Sequence, residues 1–549
     1  MPITKYDSDR VLTEETRIFA QKVARSIIEI QPVVNNIADI IVLLEVLGYS
    51  KETLKKYGFS DYYDLSKYLY GFIDAYDNSD KNKEDIVKSF YKQIPDTKHR
   101  IVEGFSLVFP WLGSLMLLLV FGVSLWMAFG LPITITTAFI AGVFLGLAIT
   151  EGVLQIFSRL FTFYHDQGNV CEVKRILKRN YILLSLIISL AVCSLYGIAT
   201  IMHIPYNLIN VSVISTVTIS LHRTSYMIIY ALKKIRHVIF AYSGAFVTLL
   251  SVYYFLPNLI PETSTRYFVA LGTAFVVLSV LAIYHHYKII SKTSGSVANN
   301  EVLHFFRPMS VTDKTIMSRF SVQLWETMPH FLFGTFYFCM IFSDRILSWI
   351  FNPMAKHIGL PMEFNSVYHA GADLALLVLL STSIIQFVLM SPLYLQIGNM
   401  TINHKISEMK KINSFLQQRY KRLLTITIIS AIATVVILNF AASTIVFHAG
   451  GSQISIQVLR IASISNIFLS IFAVNSLFMA FLNRTKIMAL IVIAGTSIVV
   501  IAGTILAQSG FENIVFAYLG ATIMAAITST LYARKIVKNA GTMFFSKYV

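Results

Sequence analysis

The sequence predicts an all-α polytopic membrane protein with about twelve transmembrane helices in two six-helix halves, preceded by a small helical domain. Of its 549 residues, 55% are hydrophobic and only 13% are charged, and the mean hydropathy is +0.65. After residue 104, about a dozen long apolar stretches follow one another, and basic residues collect in alternate loops between them. This composition excludes a soluble multidomain enzyme.

Residues 1–104 form the first predicted unit, because they contain no run of about 20 apolar residues, the length that crosses about 30 Å of hydrocarbon. Residues 1–10 are polar and lack the basic start and apolar core of a secretory signal, so we expect a helical cytoplasmic domain. Its apolar residues follow a helical spacing that polar residues interrupt. Ser50 and Ser60 are the expected N-caps of two short helices, and Gly58 is the expected end of the first.

The apolar stretches after this domain are each long enough for one membrane crossing. We number them as spans 1 to 12, near residues 105–129, 132–158, 181–203, 206–231, 238–260, 267–288, 326–350, 371–397, 422–447, 456–482, 487–508 and 513–533. They divide the chain into a first transmembrane half at 105–288 and a second at 326–533. A basic cytoplasmic linker at 289–325 separates the halves, and a cytoplasmic tail follows at 534–549.

The loops carry their basic residues on one side of the membrane only. The basic loops contain Lys174, Arg175, Lys178 and Arg179; Lys233, Lys234 and Arg236; Lys288, Lys292, Arg307, Lys314 and Arg319; Lys405, Lys410, Lys411, Arg419, Lys421 and Arg422; Arg484 and Lys486; and Arg534, Lys535 and Lys538. The opposite loops are short and weakly charged; the longest, 351–370, contains Lys356. Because basic loops stay inside, we expect both termini in the cytoplasm and the chain in the cell's cytoplasmic membrane.

This arrangement also explains the net charge of +16, which by itself would permit nucleic-acid binding. Lys and Arg at the cytoplasmic ends of spans set the topology and contact anionic lipid headgroups. We therefore expect membrane lipids, and no nucleic acid, among the partners.

A weak internal repeat relates the two halves. The segment YALKKIRHV at 230–238 lies between spans 4 and 5, and AFLNRTKIM at 480–488 lies between spans 10 and 11. KRILKRNYILL before span 3 likewise resembles QQRYKRLLTI before span 9. Two halves of equal orientation are typical of transporters with a path between the halves. The alternative is that basic loops at helix ends resemble one another by necessity.

Ionisable residues within the spans are the candidates for a substrate path or for ion coupling, because a charge is costly in lipid. Toward the cytoplasm they are Glu151 and Arg159 in span 2, His222 and Arg223 in span 4, and Glu326 and His330, which share a face of span 7. Toward the outside they are Asp344 and Arg345 in span 7, Asp373 in span 8 and Arg460 in span 10. The polar Asn475 could line the same path. Snorkelling, structural pairing or polar helix packing would explain the same residues without a path.

Motifs for covalent chemistry are missing from the sequence. It has no phosphate-binding G-x-x-x-x-G-K-[ST] loop, no H-E-x-x-H and no G-x-S-x-G, so we expect a transporter and not an ATPase or hydrolase. Its three cysteines, Cys171, Cys193 and Cys339, share no ligand spacing, and no His pair has the spacing of a metal site. We expect no cofactor and no metal.

Several segments resemble the multidrug/oligosaccharidyl-lipid/polysaccharide (MOP) flippase superfamily, and within it the PelG-type exopolysaccharide transporters. The segments are FPWLGSL at 109–115, ALKKIRHVIFAYSGAF at 231–246, FSDRILSWIF at 342–351, VLRIASISNIFLSIFAVNSLFMAFLNRTKI at 458–487 and LGYSKETLKKYGFSDYYDLSKYLY at 47–70. The resemblance covers nearly the whole chain. There are two departures: Phe109 stands where the family has Gly, and LYLQIGNM at 393–400 lacks the family's charges.

The resemblance implies a fold similar to that of the multidrug and toxin extrusion (MATE) branch of the superfamily, and export of an exopolysaccharide or lipid-linked glycan through a cleft between the halves. It implies that Asp344 and Arg345 form a family-matched polar pair. The implied partners are the glycan, a cytoplasmic glycosyltransferase and other inner-membrane secretion subunits. Two alternatives stay open on the sequence: an ion-coupled, MATE-like exporter of small cations, and a polytopic glycan-modifying enzyme.

Overall fold

The computed structural model describes residues 14–30, 37–47, 49, 51–77, 96–128, 130–166, 170–231, 235–291, 320–353, 361–393, 396–397, 409–448, 451–482 and 484–540. The expected N-cap Ser50, most of the linker at 289–325, the loop residues Lys233, Lys234, Lys356 and Lys405, and the last part of the tail lie outside this description.

Within the described part of residues 14–77, four helices precede the spans: α1 (Glu14–Ile30), α2 (Ile37–Val46), α3 (Lys51–Lys56) and α4 (Tyr62–Asp77). They share a small core around the buried residues Val23, Ile27, Leu44 and Leu65, separate from the core of the spans. Gly58 follows α3 with a φ of +83°, which explains why a glycine ends this helix. The expected cap Ser60 is replaced by Asp61, whose carboxylate accepts the N–H of Asp64 at 2.9 Å.

Twelve long helices occupy the described residues from 97 to 537. They are span 1 (Thr97–Phe121), span 2 (Ile133–Asp166), span 3 (Val170–Met202), span 4 (Tyr206–Ala231), span 5 (Arg236–Phe255), span 6 (Thr263–Ser291), span 7 (Phe320–Ile350), span 8 (Ser366–Ala375 and Leu377–Met390), span 9 (Met409–His448), span 10 (Gln453–Phe481), span 11 (Thr485–Leu506) and span 12 (Ile514–Val537). The prediction of an all-α polytopic membrane protein is confirmed.

Eleven of these helices are long and apolar enough to cross a membrane, counted over the part of the chain that the structure describes. Span 4 is not among them, although its 26 residues could reach about 39 Å. Its sequence explains the difference, because it carries Asn207, Asn210, His222 and Arg223 among many Ser and Thr residues. The expected twelfth span is thus a helix of the right length but of lower hydropathy than its neighbours.

Span boundaries differ from the sequence prediction where local capping decides them. Span 1 begins at Thr97, next to the capping carboxylate of Asp96, and not near residue 105. It ends at Phe121 and not near residue 129, because Gly122 adopts a left-handed conformation with a φ of 68°. Spans 3 and 9 begin more than ten residues earlier than predicted, since their basic segments are helical. Span 8 is interrupted at Leu376.

The two halves repeat one packing scheme, as the weak sequence repeat predicts. Span 2 packs on span 4 as span 8 packs on span 10, span 1 packs on span 5 as span 7 packs on span 11, and spans 5 and 6 pair as spans 11 and 12 do. Between the halves, span 2 packs on span 7 and span 1 on span 8. We call the end where the even-numbered spans finish the basic end, and the opposite end the short-loop end.

Candidate functional site

Glycines bring the two halves into close contact at spans 2 and 7. Gly152 lies against Phe331 and Thr335 of span 7, and a methyl group on it would come within 2.7 Å of the Phe331 ring. Gly334 of span 7 lies in turn against Glu151, where a methyl group would come within 3.0 Å of the Glu151 carbonyl oxygen. Small residues allow such close approach of membrane helices. The first candidate residue, Glu151, therefore sits at the boundary between the halves.

Glu151 forms an ion pair with Arg223 of span 4, so the structure joins two of the predicted residues. The other carboxylate oxygen of Glu151 accepts a hydrogen bond from Gln155 Nε2 at 2.8 Å. The Arg223 guanidinium also lies 5.3 Å from the ring centroid of Phe338 in span 7, a cation–π contact across the boundary. The Glu151 and Arg223 side chains are 14% and 22% exposed. The ion pair thus joins spans 2 and 4, and the contact of Arg223 with Phe338 links them to the second half.

A second group of charges lies in the second half near the short-loop end. We call it the buried charge cluster: Asp344, Arg345 and Trp349 of span 7, and Tyr368, His369 and Asp373 of span 8. Arg345 is its centre and is only 1% exposed. Its guanidinium donates to Asp373 Oδ1 at 2.8 Å and to Asp344 Oδ1 at 3.0 Å. Two further bonds of 2.8 Å reach the backbone oxygens of Ile341 and Ala372.

The remaining hydrogen bonds orient the other side chains of the cluster. Trp349 Nε1 donates to His369 Nε2 at 2.9 Å, and an indole nitrogen can only donate. His369 Nδ1 donates to Asp373 Oδ2 at 2.9 Å. Tyr368 Oη donates to Asp344 Oδ2 at 2.9 Å. Two carboxylates thus share one guanidinium.

Only one carboxylate of this cluster is open. The side chain of Asp373 is 45% exposed, whereas those of Asp344, Arg345 and His369 are between 0% and 5% exposed. Rings at the boundary between the halves adjoin the cluster, because Phe144 of span 2 stacks on Phe342 at 4.1 Å and lies 5.5 Å from Trp349. A cation or proton could therefore reach the negative cluster at Asp373, close to the surface where the halves meet.

Four of the predicted residues lie away from these two groups. His222 is buried inside the first half, where its Nε2 lies 2.8 Å from Tyr242 Oη. His330 is buried with Nε2 3.2 Å from Thr485 Oγ1 of span 11, while Glu326, expected on the same face, is exposed. Asn475 ties span 10 to its neighbours, accepting from Tyr420 Oη at 2.7 Å and donating to Ser529 Oγ at 2.9 Å. These contacts match the packing alternative for His222, His330 and Asn475.

The two remaining arginines join neither group. Arg159 is half-buried two turns beyond Glu151 toward the basic end, and Arg460 is exposed on span 10. Both positions are consistent with arginine side chains that extend toward the membrane surface.

Sequence reasoning missed Trp349, Tyr368 and His369, which complete the cluster. The spacing of His369 and Asp373 at i and i+4 was the available signal, because it places both on one face of span 8. It also missed Glu363, a buried carboxylate whose Oε2 has no hydrogen-bond partner in the structure. In the described part of the chain, no group of three or more His, Cys, Asp or Glu side chains could hold a metal ion.

Solved transporter structures share this fold. A MATE protein in complex with MaL6 is 13% identical, with a TM-score of 0.55 over 82% of this chain and 98% of that one. A MATE protein in complex with MaD5 is 12% identical, with a TM-score of 0.57 over 82% and 98% of the two chains. The outward-facing conformation of a multidrug resistance MATE family transporter of the MOP superfamily is 12% identical, with a TM-score of 0.55 over 82% and 97%.

No family model and no curated protein matches the chain. At these identities the structural likeness establishes the fold, which is that of the MATE transporters of the MOP superfamily. This agrees with the superfamily-level resemblance in the sequence. These matches do not support the narrower resemblance to PelG-type transporters.

Proposed function

We propose that the chain is a membrane exporter that carries an exopolysaccharide or lipid-linked glycan between its two halves, with basic loops and both termini in the cytoplasm. The observation that carries the proposal is the buried charge cluster, in which two carboxylates share one guanidinium and Asp373 is open beside the boundary between the halves. Two carboxylates with one cation are costly in a membrane if both are ionised, so we infer that a cation or proton binds there in part of a working cycle.

The boundary itself supports alternating access. Phe144 of span 2 packs on Phe342 and Trp349 of span 7, and Trp349 holds His369 next to Asp373. A rotation of one half against the other would change the ring contacts beside Asp373, and binding of a cation there would favour one arrangement of the halves. The cluster can in this way link an ion gradient to movement of the substrate.

The choice of a glycan rests on the sequence resemblance to PelG-type transporters together with the aromatic rings at the boundary, which can stack on sugars. The implied partners are a glycosyltransferase and secretion subunits of the inner membrane. A second candidate, a MATE-like exporter of small organic cations, is favoured by the same negative cluster and by the fold of the multidrug resistance transporters. We rank the glycan first because the sequence resemblance to PelG-type transporters covers nearly the whole chain.

A glycan-modifying enzyme would need a free acid or base. Both ring nitrogens of His369 are hydrogen-bonded, and both carboxylate oxygens of Asp344 accept hydrogen bonds while the residue is fully buried. Neither group can move a proton to a substrate in this arrangement, and the open Asp373 is a single carboxylate whose two oxygens accept hydrogen bonds from Arg345 and His369, with no second free acid or base in the cluster. The cluster therefore favours transport over covalent chemistry.

Deletion of the gene, with secreted glycan and efflux of a cationic dye measured in the same cells, tests the proposal. We expect secreted glycan to disappear, dye efflux to stay unchanged, and the wild-type gene on a plasmid to restore secretion. Normal secretion without a redundant copy would overturn the glycan proposal, and loss of dye efflux alone would establish the second candidate in its place.

A further inference from the structure

Two crevices lie at the basic end, one in each half, and equivalent residues line them. The second-half crevice lies between Leu389, Met390 and Leu393 of span 8 and Arg419, Arg422 and Leu423 of span 9. The first-half crevice lies between Ile156, Phe157 and Leu160 of span 2 and Ile176, Arg179 and Asn180 of span 3. The offset is 233 positions for these three pairs of residues on spans 2 and 8, and 243 positions for the three pairs on spans 3 and 9. Leu183 and Gln323 in the first crevice and Phe478 in the second have no such counterpart.

The two crevices differ in charge. The second-half crevice has two arginines one turn apart on span 9, at positions where the first half has Ile176 and Arg179. Arg179 already donates to Gln323 Oε1 at 3.3 Å. The Arg419 Cζ lies 5.0 Å from the ring centroid of Phe415, a cation–π contact.

The position of these arginines along span 9 corresponds to the level of lipid headgroups. Span 9 continues from Arg422 to His448. At about 1.5 Å per residue this distance is about 39 Å, which exceeds the hydrocarbon thickness of about 30 Å and stays within the about 40–45 Å that include the headgroups. Arg419 and Arg422 therefore lie just outside the hydrocarbon, at the basic end.

An apolar surface continues from the crevice into the membrane. Ile429, Val436 and Phe440 of span 9 are 61%, 63% and 92% exposed. Their spacing from Arg422 keeps them on one side of the helix. Leu389 and Met390 of span 8 face Arg422 across the crevice. The site thus joins two cationic groups to an apolar track, which suits an amphipathic anion better than a soluble one.

We propose that the second-half crevice binds the phosphate headgroup of an anionic membrane lipid, whose acyl chain lies along Ile429, Val436 and Phe440. Arg419 and Arg422 donate N–H groups to the phosphate oxygens, a geometry that guanidinium groups favour. Leu389, Met390 and Leu423 contact the first methylene groups of the lipid. The first-half crevice binds the same lipid more weakly, because its single arginine is shared with Gln323.

Native mass spectrometry of the purified full-length protein with phosphatidylglycerol or phosphatidylcholine tests this site. The variant Arg419→Gln/Arg422→Gln is compared with Lys410→Gln/Lys421→Gln, a matched control that removes the same charge from exposed positions of the same helix. We expect the arginine variant to bind phosphatidylglycerol at least about tenfold more weakly than the wild type, since the loss of one charge-assisted hydrogen bond reduces affinity by about that factor. The control should change binding less than about twofold.

Equal losses in both double variants would overturn the proposal, because they would indicate a diffuse charge effect. Displacement of the lipid by glycerol phosphate at equal concentration would overturn it as well, since the site would then recognise a soluble anion. The single variant Arg422→Gln, with an unchanged melting temperature, guards against a folding defect and should weaken phosphatidylglycerol binding in the same direction. An Arg422→Gln variant that folds and binds like wild type would contradict the proposal.

Discussion

The two halves have the same helix packing but place their charges differently. In the first half, Glu151 and Arg223 form one ion pair whose side chains are 14% and 22% exposed. In the second half, Arg345 holds two carboxylates and is only 1% exposed. In the register that relates the two crevices, the counterpart of Glu151 is Ile384, which packs on Gly104 of span 1 as Glu151 packs on Gly334 of span 7.

Before the interruption of span 8 the register differs by one turn, because Ser455 donates to the Val367 oxygen as Ser212 donates to the Ala138 oxygen, and this makes Phe144 the counterpart of Asp373. Charges in one half therefore replace apolar residues in the other, so the repeated scaffold does not require them. The two groups of charges also differ in their exposure. The first-half pair is partly exposed, whereas removal of one partner in the second half would leave a buried charge without a counter-ion. The first-half pair therefore contacts the opposite half through Arg223 and Phe338, and we expect the second-half cluster to carry the charge that the proposed export uses.

Arg345→Gln should have the largest effect on stability. Without the guanidinium, Asp344 is a fully buried carboxylate that keeps only the Tyr368 hydrogen bond and loses its counter-ion, and such a loss costs about 3–5 kcal/mol. The midpoint of thermal unfolding of the purified protein measures it. Arg460→Gln makes the same change of charge at an exposed position and should alter stability by less than about 0.5 kcal/mol. Equal shifts of the unfolding midpoint in the two variants would contradict the claim that burial makes the second-half charges more important for stability.

Gly152→Ala should have the next largest effect. The added methyl group meets Phe331 at 2.7 Å, so spans 2 and 7 must separate, and overpacking of this kind costs about 1–3 kcal/mol. Gly272→Ala in span 6 is the control, since no atom lies within 4 Å of the position of its methyl group. The same unfolding measurement compares the two variants. A Gly152→Ala protein as stable as Gly272→Ala would mean that the halves are not in tight contact at this point.

The first-half ion pair should have the smallest effect. A double-mutant cycle with Glu151→Gln and Arg223→Gln isolates the interaction between the two side chains. Because both are partly exposed, we expect a coupling free energy of about 0.5–1 kcal/mol. A coupling as large as the cost of Arg345→Gln would show that the two halves do not differ in the way their charges are solvated.

The sequence was sufficient to predict the all-α polytopic membrane fold. Asp344, Arg345 and Asp373 were expected near the outer ends of spans 7 and 8, and these helices bring them together. His222 and Arg223 are adjacent in the sequence but do not share a site in the structure. Neighbouring residues differ by about 100° around a helix, so Arg223 faces Glu151 while His222 faces Tyr242 inside the first half.

The rest of the site depends on contacts between helices that sequence spacing does not determine. The orientation of the His369 ring depends on the hydrogen bond that Trp349 donates, and Trp349 lies on another helix. The end of span 1 depends on a glycine conformation, and the cap of α4 depends on Asp61 instead of its neighbour Ser60. A one-residue difference of this kind is decided by local geometry, which the pattern of apolar residues does not contain.

The most direct test of the account is glycan secretion by cells that carry only an Asp373→Asn variant. Asparagine keeps the shape of the side chain but removes the charge that is open beside the boundary between the halves. We predict that secretion falls at least tenfold, a factor of the size expected when one charge-assisted interaction is lost, while the protein reaches the membrane in normal amount. Secretion at the wild-type level, with equal protein in the membrane, would contradict the claim that the second-half cluster drives export.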